Sequence, residues 1–166
     1  MEKTYNIVEL FSGIGSQAAA LKNLGVKINT VGTSEWDVHA IVAYDMIHGG
    51  TDIPADIARM SKDELLEKMS HYTFSNSGKA PLEYEALRTY SVESLRYIYT
   101  SIKRNHNFVD ISALEGKEMP DGIDILTYSF PCQDLSNVGA FHGYNKGIVD
   151  SKFPKGLPYS TLVTDR

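Results

Sequence analysis

Apolar and polar positions in the first part of the chain alternate between strand-like and helix-like patterns. Residues 5–11, YNIVELF, form a short run of apolar and β-branched types that predicts a buried strand. A helix is predicted over 17–24, with Gly25 just past its end, and a second strand over 26–34. Residues 37–47 again place apolar side chains on one helical face. This order predicts an α/β fold, in which a parallel sheet carries flanking helices.

The middle of the chain, residues 51–107, has a mainly helical pattern. Ser61 and Glu64 form a capping-box pattern ahead of apolar residues. The segment 75–81, SNSGKAP, is typical of a loop. Apolar residues then recur at helical spacing: Leu87, Leu95, Ile98 and Ile102. We predict a helical insertion at about 51–107, packed on the flank of the domain, and we keep open a partner or nucleic-acid contact at residues 103–106.

Strand patterns return near the end of the chain. The segments 108–111, FVDI, and 123–130, IDILTYSF, predict two more strands. Residues 134–166 are rich in glycine, proline and polar types, which predicts a mobile loop. Long loops in compact domains are usually functional. The length of 166 residues fits a single domain.

Composition limits the possible settings and partners. The chain is 42% hydrophobic and 22% charged, it has no apolar run near the roughly 20 residues of a membrane span, and its start lacks a signal-peptide pattern. With one cysteine it forms no internal disulfide, so we expect a cytoplasmic protein without membrane contact.

The net charge is −5, whereas chains that bind nucleic acid by themselves are usually basic. Most phosphate contacts of a nucleic-acid enzyme would therefore have to come from elsewhere.

A glycine-rich loop follows the first predicted strand. Two glycines let the backbone turn tightly and approach a ligand, and the next helix offers free N–H groups. The spacing also fits a nucleotide-binding loop, although an ordinary strand-to-helix turn has the same appearance. The candidate residues are Phe11, Ser12, Gly13, Ile14, Gly15 and Ser16.

An acid and an indole follow the second predicted strand. Glu35 lies about 20 residues beyond the glycine loop, where an acid can accept hydrogen bonds from both hydroxyls of a ribose. Trp36, the only tryptophan, can stack on an adenine. Asp110 can accept from the exocyclic amine of that adenine, while Ile111 packs on its ring. The alternatives are a solvated Glu35, a core Trp36 and an Asp110 that caps a turn.

The only cysteine lies just past the last predicted strand. Pro131 helps to end that strand, so Cys132 is expected at the carboxyl edge of the sheet, where open α/β folds bind ligands. A buried, inert cysteine would more often lie within the strand. No neighbouring base or cation in the sequence explains how this thiol would be activated.

Four segments in this order, FSGIGS, SEWD, VDI and SFPCQDLS, resemble the leading motifs of the DNA cytosine-C5 methyltransferases. The resemblance implies a Rossmann-like fold that binds S-adenosylmethionine and releases S-adenosylhomocysteine. It implies that the glycine loop cradles the methionine part, that Glu35 and Trp36 hold ribose and adenine, and that Asp110 and Ile111 meet the adenine edge. Pro131 joins this cofactor-binding set, and no metal is implied.

The same resemblance assigns the chemistry to Cys132. In the family a thiolate adds to C6 of a flipped cytosine, which makes C5 reactive toward the methyl group. The substrate pocket is then supported by Phe130, Gln133 and Ser136. The motifs that follow in the family, and its target-recognition domain, do not occur in residues 1–166. We therefore expect the N-terminal part of a catalytic domain, inactive alone, that meets duplex DNA mainly through a missing C-terminal half or second subunit.

The expected setting is a bacterial restriction-modification system, with the enzyme in the cytoplasm at the nucleoid. Alternatives stay open at this point: an RNA cytosine-C5 methyltransferase, a nicotinamide-dependent oxidoreductase, or a remnant that binds a nucleotide cofactor without methyl transfer. Phe130 before Pro131 favours DNA, because the family's tRNA-directed branch tends to have a second proline there.

Overall fold

A computed structural model of the protein describes residues 2–128. The described part contains strands that alternate with helices, a cluster of four helices in its middle, and one short 3-10 helix near its end. The elements are β1 (Tyr5–Leu10), α1 (Ser16–Asn23), β2 (Ile28–Ser34), α2 (Val38–His48), α3 (Ala55–Ala58), α4 (Lys62–Met69), α5 (Tyr84–Leu87), α6 (Val92–Arg104), the 3-10 helix (Gly116–Glu118) and β3 (Ile125–Tyr128).

The three described strands form a parallel sheet in the order β2-β1-β3. Leu10, the last residue of β1, pairs with Ser34 of β2 on one side and with Tyr128 of β3 on the other. The carboxyl ends of all three strands therefore lie at one edge of the sheet. The predicted parallel sheet with flanking helices is confirmed for this part of the chain, because β1 and β2 are each followed by a helix.

The prediction of a strand at 108–111 is wrong. This segment runs beside the end of β2 but makes only one isolated parallel bridge, between Thr33 and Asn107. The backbone turns into the left-handed region on both sides of that bridge, with φ 46° at His106 and φ 64° at Val109. Such angles are incompatible with an extended ladder. The apolar types in FVDI correctly indicated burial, but backbone turns prevented a strand.

The helices of residues 51–107 share a hydrophobic core with α2. Helix α4 begins with the predicted capping box, in which Ser61 N–H donates to Glu64 Oε2 at 2.8 Å and Glu64 N–H donates to Ser61 Oγ at 3.3 Å. Helix α6 contributes the buried Leu95, Ile98 and Ile102. These three side chains belong to one core cluster with residues of α2 and α4, which include Val38, Ile41, Leu65, Leu66 and Met69. These helices are thus part of the domain's core.

A buried polar network joins α2 to the end of α6. Arg104 Nη1 lies 2.8 Å from Asp45 Oδ2, and Asn105 Nδ2 donates to Asp45 Oδ1 at 2.8 Å. Arg104 also donates to the Gly50 carbonyl at 3.0 Å. Because a buried carboxylate needs such partners, these contacts serve the fold. Arg104 and Asn105 thus have structural partners within the fold, and the alternative of a partner or nucleic-acid contact at 103–106 stays a prediction. Among residues 2–128, no helix has the length and hydropathy needed to cross a membrane.

Truncation of a core leucine in α6 should destabilise the fold strongly. Leu95 has 0% exposure, so Leu95→Ala should lower the free energy of unfolding by about 2–5 kcal/mol. Leu24 is 79% exposed, so the matched Leu24→Ala should change it by no more than about 0.5 kcal/mol. Urea unfolding of both variants measures the difference. Equal costs would show that α6 is not packed in the core.

Candidate functional site

The glycine loop connects β1 to α1 through a sharply turned backbone. Phe11, Gly13 and Gly15 all have positive φ, at 54°, 53° and 83°. Gly15 N–H donates to the Ser12 carbonyl at 2.8 Å, which closes the turn. Ser12 N–H donates to the Ser34 carbonyl at 3.0 Å, which fixes the loop to the end of β2. The loop is therefore a defined structure at the carboxyl edge of the sheet.

The two glycines of the loop serve different purposes. A Cβ added at Gly13 would meet nothing within 4 Å, so this face of the loop is open in the described structure. A Cβ added at Gly15 would lie 2.2 Å from His48 Nε2 and 2.7 Å from Tyr44 Cε2. Gly13 thus allows a ligand to approach the backbone, whereas Gly15 allows α2 to pack against it.

A buried acid and two residues of α2 support the loop from beneath. Glu9 is fully buried in β1 and accepts hydrogen bonds from Ala18 N–H at 3.0 Å and from the Tyr44 hydroxyl. Burial, and then the hydrogen bond to Glu9, raise the pKa of Tyr44, which therefore stays protonated and donates. His48 Nε2 lies 3.1 Å from the Ile14 carbonyl oxygen. Because a carbonyl oxygen only accepts, His48 must donate from Nε2.

Sequence reasoning missed these supporting residues. Tyr44 and His48 lie on a helix far along the chain from the loop, and nothing in their spacing points to it. The one available signal was Glu9, an acid within the apolar run YNIVELF. An acid at a buried strand position needs hydrogen-bond partners from other elements, and sequence alone does not identify them.

Glu35 immediately follows β2, and its carboxylate is held in one orientation. Oε2 accepts from Gly13 N–H at 2.9 Å, and Oε1 accepts from Asp37 N–H at 2.8 Å. Each oxygen of an ionised carboxylate can accept about two hydrogen bonds, so each keeps capacity for one more. The structure thus joins Glu35 to the glycine loop, so its side chain is not the freely solvated acid of the alternative, and its contact with a ribose stays a prediction.

Trp36 and Asp110 both have structural contacts besides their predicted roles. Trp36 is partly buried and packs against the core around α2 and α6, and its carbonyl accepts from Ser75 N–H at 2.8 Å. Asp110 Oδ1 accepts from the N–H and the hydroxyl of Ser112, at 2.9 and 2.7 Å, so Asp110 also closes a turn. Ile111 packs in a core cluster on β1. Their contacts with an adenine stay predictions.

The Asp110 segment nevertheless lies at the same sheet edge as Glu35. Ser34 Oγ donates to the Val109 carbonyl at 3.1 Å, which fixes the segment to the end of β2. Asn107 connects the same segment to Glu35, since its side chain lies within 3.0 Å of the Glu35 backbone N and O atoms. The structure thus brings together the three segments that the sequence proposed for a cofactor.

The predicted nucleophile, Cys132, lies outside the described residues. The same holds for the other predicted residues around it: Phe130, Pro131, Gln133 and Ser136. The last described residue, Tyr128, lies in β3 opposite Leu10 and only four positions before Cys132. The chain therefore leaves β3 at the sheet edge that carries the glycine loop and Glu35.

The described residues at this edge fit a ligand with both polar and apolar parts. Ser12 Oγ is buried and has no hydrogen-bond partner among residues 2–128. The backbone beside it is open at Gly13, and the side chain of Ile14 is more than half exposed. With the fixed carboxylate of Glu35, these groups suit a nucleoside with an attached chain. Among residues 2–128, no three metal-ligand side chains cluster together.

Substitution of two positive-φ glycines, Gly25 and Gly15, should separate backbone strain from crowding. Gly25 has φ 77°, and an added Cβ there would meet nothing within 4 Å. Gly25→Ala should therefore lower the free energy of unfolding by about 1–2 kcal/mol, through backbone strain alone. Gly15→Ala adds the collision with His48 and should cost roughly 1–3 kcal/mol more. Urea unfolding compares the two variants. If Gly15→Ala costs no more than Gly25→Ala, α2 does not pack against the loop.

Comparison with known proteins identifies the family. The family model for C-5 cytosine-specific DNA methylases matches residues 5–75 and 88–152. The matched ranges include the glycine loop, Glu35, Asp110 and Cys132. They also include most of the region that we expected to be an insertion, and only residues 76–87 lie between them.

Individual relatives are methyltransferases and are much longer. The orphan methyltransferase M.SssI of Spiroplasma monobiae is 34% identical over 149 residues, which cover 87% of this chain and 38% of that protein. The type II methyltransferase M2.ScrFI of Lactococcus lactis subsp. cremoris is 30% identical over 148 residues, which cover 86% of this chain and 38% of that protein. The chain thus spans less than two-fifths of either relative's length. Because the family model matches most of its residues, the chain belongs to the C-5 cytosine-specific DNA methylase family, of which it represents an N-terminal portion.

Proposed function

We propose that the chain is the cofactor-binding and nucleophile-bearing portion of an enzyme that methylates C5 of cytosine in duplex DNA, with S-adenosylmethionine as methyl donor. The observation that carries this proposal is the fixed carboxylate of Glu35. It is joined to Gly13 of the open glycine loop, at the sheet edge where β3 ends four residues before Cys132 in the sequence. This edge is where open α/β folds bind their ligands.

The described residues would hold the cofactor as follows. The remaining acceptor capacity of Glu35 suits the two ribose hydroxyls. The backbone at Gly13, with Phe11 and Ile14 in the same loop and Ser16 at the start of α1, suits the methionine part. Ser12 Oγ, buried without a partner among residues 2–128, is a donor for a polar group of the ligand. Trp36, Asp110 and Ile111 would contact the adenine, as would Pro131 from beyond the described residues. When bound, the cofactor would supply an electrophilic methyl group and would leave as S-adenosylhomocysteine.

Cys132 would supply the covalent chemistry. Its thiolate forms an Sγ–C6 bond with a cytosine that has left the base stack, and the C5=C6 electron pair becomes available at C5. After C5 has been methylated, its proton leaves, the C5=C6 double bond forms again and the Sγ–C6 bond breaks, which regenerates the thiolate. Phe130, Gln133 and Ser136 would line the pocket for the flipped base. The family match at residues 88–152, which includes FPCQ, supports this assignment.

Duplex DNA would be bound mostly by the rest of the enzyme, whether a C-terminal half or a second subunit. The chain carries a net charge of −5, and its relatives are more than twice as long. M2.ScrFI is named as a type II methyltransferase, which supports a role in a bacterial restriction-modification system, with the enzyme acting on nucleoid DNA in the cytoplasm. The family match favours DNA over RNA as the substrate and gives no support to the oxidoreductase alternative.

Removal of the Glu35 carboxylate should weaken cofactor binding. Loss of charge-assisted hydrogen bonds to the ribose, worth about 1.5–3 kcal/mol, should raise the dissociation constant of S-adenosylhomocysteine about tenfold or more in Glu35→Ala. The exposed Glu67→Ala is the control and should bind normally. Calorimetry on the 166-residue chain measures the affinity, and Trp36 fluorescence reports binding independently. A folded chain that fails to bind at millimolar ligand would contradict the proposed cofactor.

Replacement of the thiol should abolish methyl transfer while cofactor binding is retained. Residues 1–166 fused to the remaining part of M.SssI should methylate cytosine C5 in duplex DNA, and Cys132→Ser should not, because a serine hydroxyl is far less ionised than a thiol. With 5-fluorocytosine at the target there is no C5 proton to lose, so the wild-type fusion should form a DNA adduct that survives denaturation. Equal activity with serine, or methylation of adenine, would refute the mechanism.

A further inference from the structure

Asn107 is a buried side chain whose hydrogen bonds connect two separate parts of the site. It is 6% exposed and lies between α6 and the Asp110 segment. Its Oδ1 accepts from Glu35 N–H at 3.0 Å and from Val109 N–H at 2.9 Å, and its Nδ2 donates to the Glu35 carbonyl at 3.0 Å. Both acceptor positions of the amide oxygen are therefore used, together with one of the two N–H donors.

The amide of Asn107 takes the place of a strand partner for Glu35. Regular pairing of β2 ends at Ser34, and the neighbouring segment turns away at His106 and Val109, where φ is positive. The Glu35 backbone would otherwise lack a partner on this side. A side-chain amide has the same donor and acceptor as a peptide group, so Asn107 satisfies both backbone groups of Glu35 and fixes where its side chain begins.

A continuous series of hydrogen bonds runs through this amide. The Glu35 carboxylate accepts from Gly13, the Glu35 backbone pairs with Asn107, and Asn107 Oδ1 accepts from Val109, which precedes Asp110. The Asn107 amide thus links the segments proposed for ribose and adenine, and the Glu35 carboxylate extends the series to the loop proposed for methionine. A carboxylate in its place could not donate to the Glu35 carbonyl and would add a negative charge beside Glu35.

We propose that Asn107 is the positioning residue of the cofactor site, which holds the Glu35 carboxylate in the orientation that recognises the ribose hydroxyls and sets its distance from Asp110. This inference rests on the proposed S-adenosylmethionine site. It predicts that Asn107 acts through Glu35. Substitution of Asn107 should therefore affect recognition of the ribose hydroxyls in particular.

Asn105 provides a matched control. It is also buried, at 8% exposure, and lies two positions earlier in the same turn. Its Nδ2 donates to Asp45 Oδ1 at 2.8 Å and to the Ser101 carbonyl at 2.9 Å, and no bond joins it to Glu35. A substitution at Asn105 therefore perturbs the same part of the fold without changing the support of Glu35.

The experiment compares binding of S-adenosylhomocysteine with that of its 2′-deoxyribose analogue, on the 166-residue chain, by calorimetry. The wild-type chain should prefer the ribose form about tenfold, the usual effect of one hydrogen bond to a charged group. Asn107→Asp and Asn107→Ala should weaken binding of the ribose form about tenfold and bring the preference near one, and Glu35→Ala should have the same effect on the preference. Asn105→Ala should lower the free energy of unfolding and keep the wild-type preference. Asn107→Ala combined with Glu35→Ala should bind no more weakly than Glu35→Ala alone.

A measurement on the wild-type chain covers the case in which the Asn107 variants do not fold. In nuclear magnetic resonance spectra, saturation with S-adenosylhomocysteine should shift the side-chain amide signals of Asn107 and leave those of Asn105 in place. Unshifted Asn107 signals in a saturated sample would overturn the inference, and so would folded Asn107 variants that keep the ribose preference. Both results leave the proposed function intact, whereas a folded wild-type chain that does not bind S-adenosylhomocysteine overturns both.

Discussion

The two hydrogen bonds that fix the Glu35 carboxylate are the interaction on which the candidate site depends. Gly13 N–H and Asp37 N–H bind one oxygen each, so the acid cannot rotate freely and the glycine loop cannot move away from the end of β2. An acid on a mobile side chain would have to lose conformational freedom when a ligand binds, and that loss would weaken binding. Here two backbone N–H groups of the protein itself order the carboxylate, so less of that freedom is left to lose.

The glycine loop is ordered from the opposite side by β1 and α2. Glu9 is buried in β1, and it receives hydrogen bonds from the start of α1 and from Tyr44. His48 contacts the Ile14 carbonyl through the space that a side chain at Gly15 would fill. The loop therefore keeps one open face, at Gly13, while its other face is packed. This arrangement explains why the two glycines tolerate different changes although both have positive φ.

The helices of residues 51–107 contribute to the site through the core. Helix α6 packs on α2 and α4, and the turn that follows it carries Asn105 and Asn107. The first of these asparagines binds Asp45 of α2, and the second binds Glu35. Packing of α6 thus determines where the amide that supports Glu35 lies, which connects a structural region to the proposed chemistry.

The sequence alone determined the features that depend on neighbouring residues: the first strand except its last predicted residue, Phe11, the capping box at Ser61, the turn at the glycine loop, and the family motifs. These follow from local periodicity and backbone preferences. Tertiary structure decided the rest. FVDI is apolar enough for a strand, but turns at His106 and Val109 prevent one. The contact of Asn107 with Glu35 joins positions 72 residues apart, and the partner of Glu9 lies on another element. Such pairs form only when packing brings the elements together, and no local pattern specifies them.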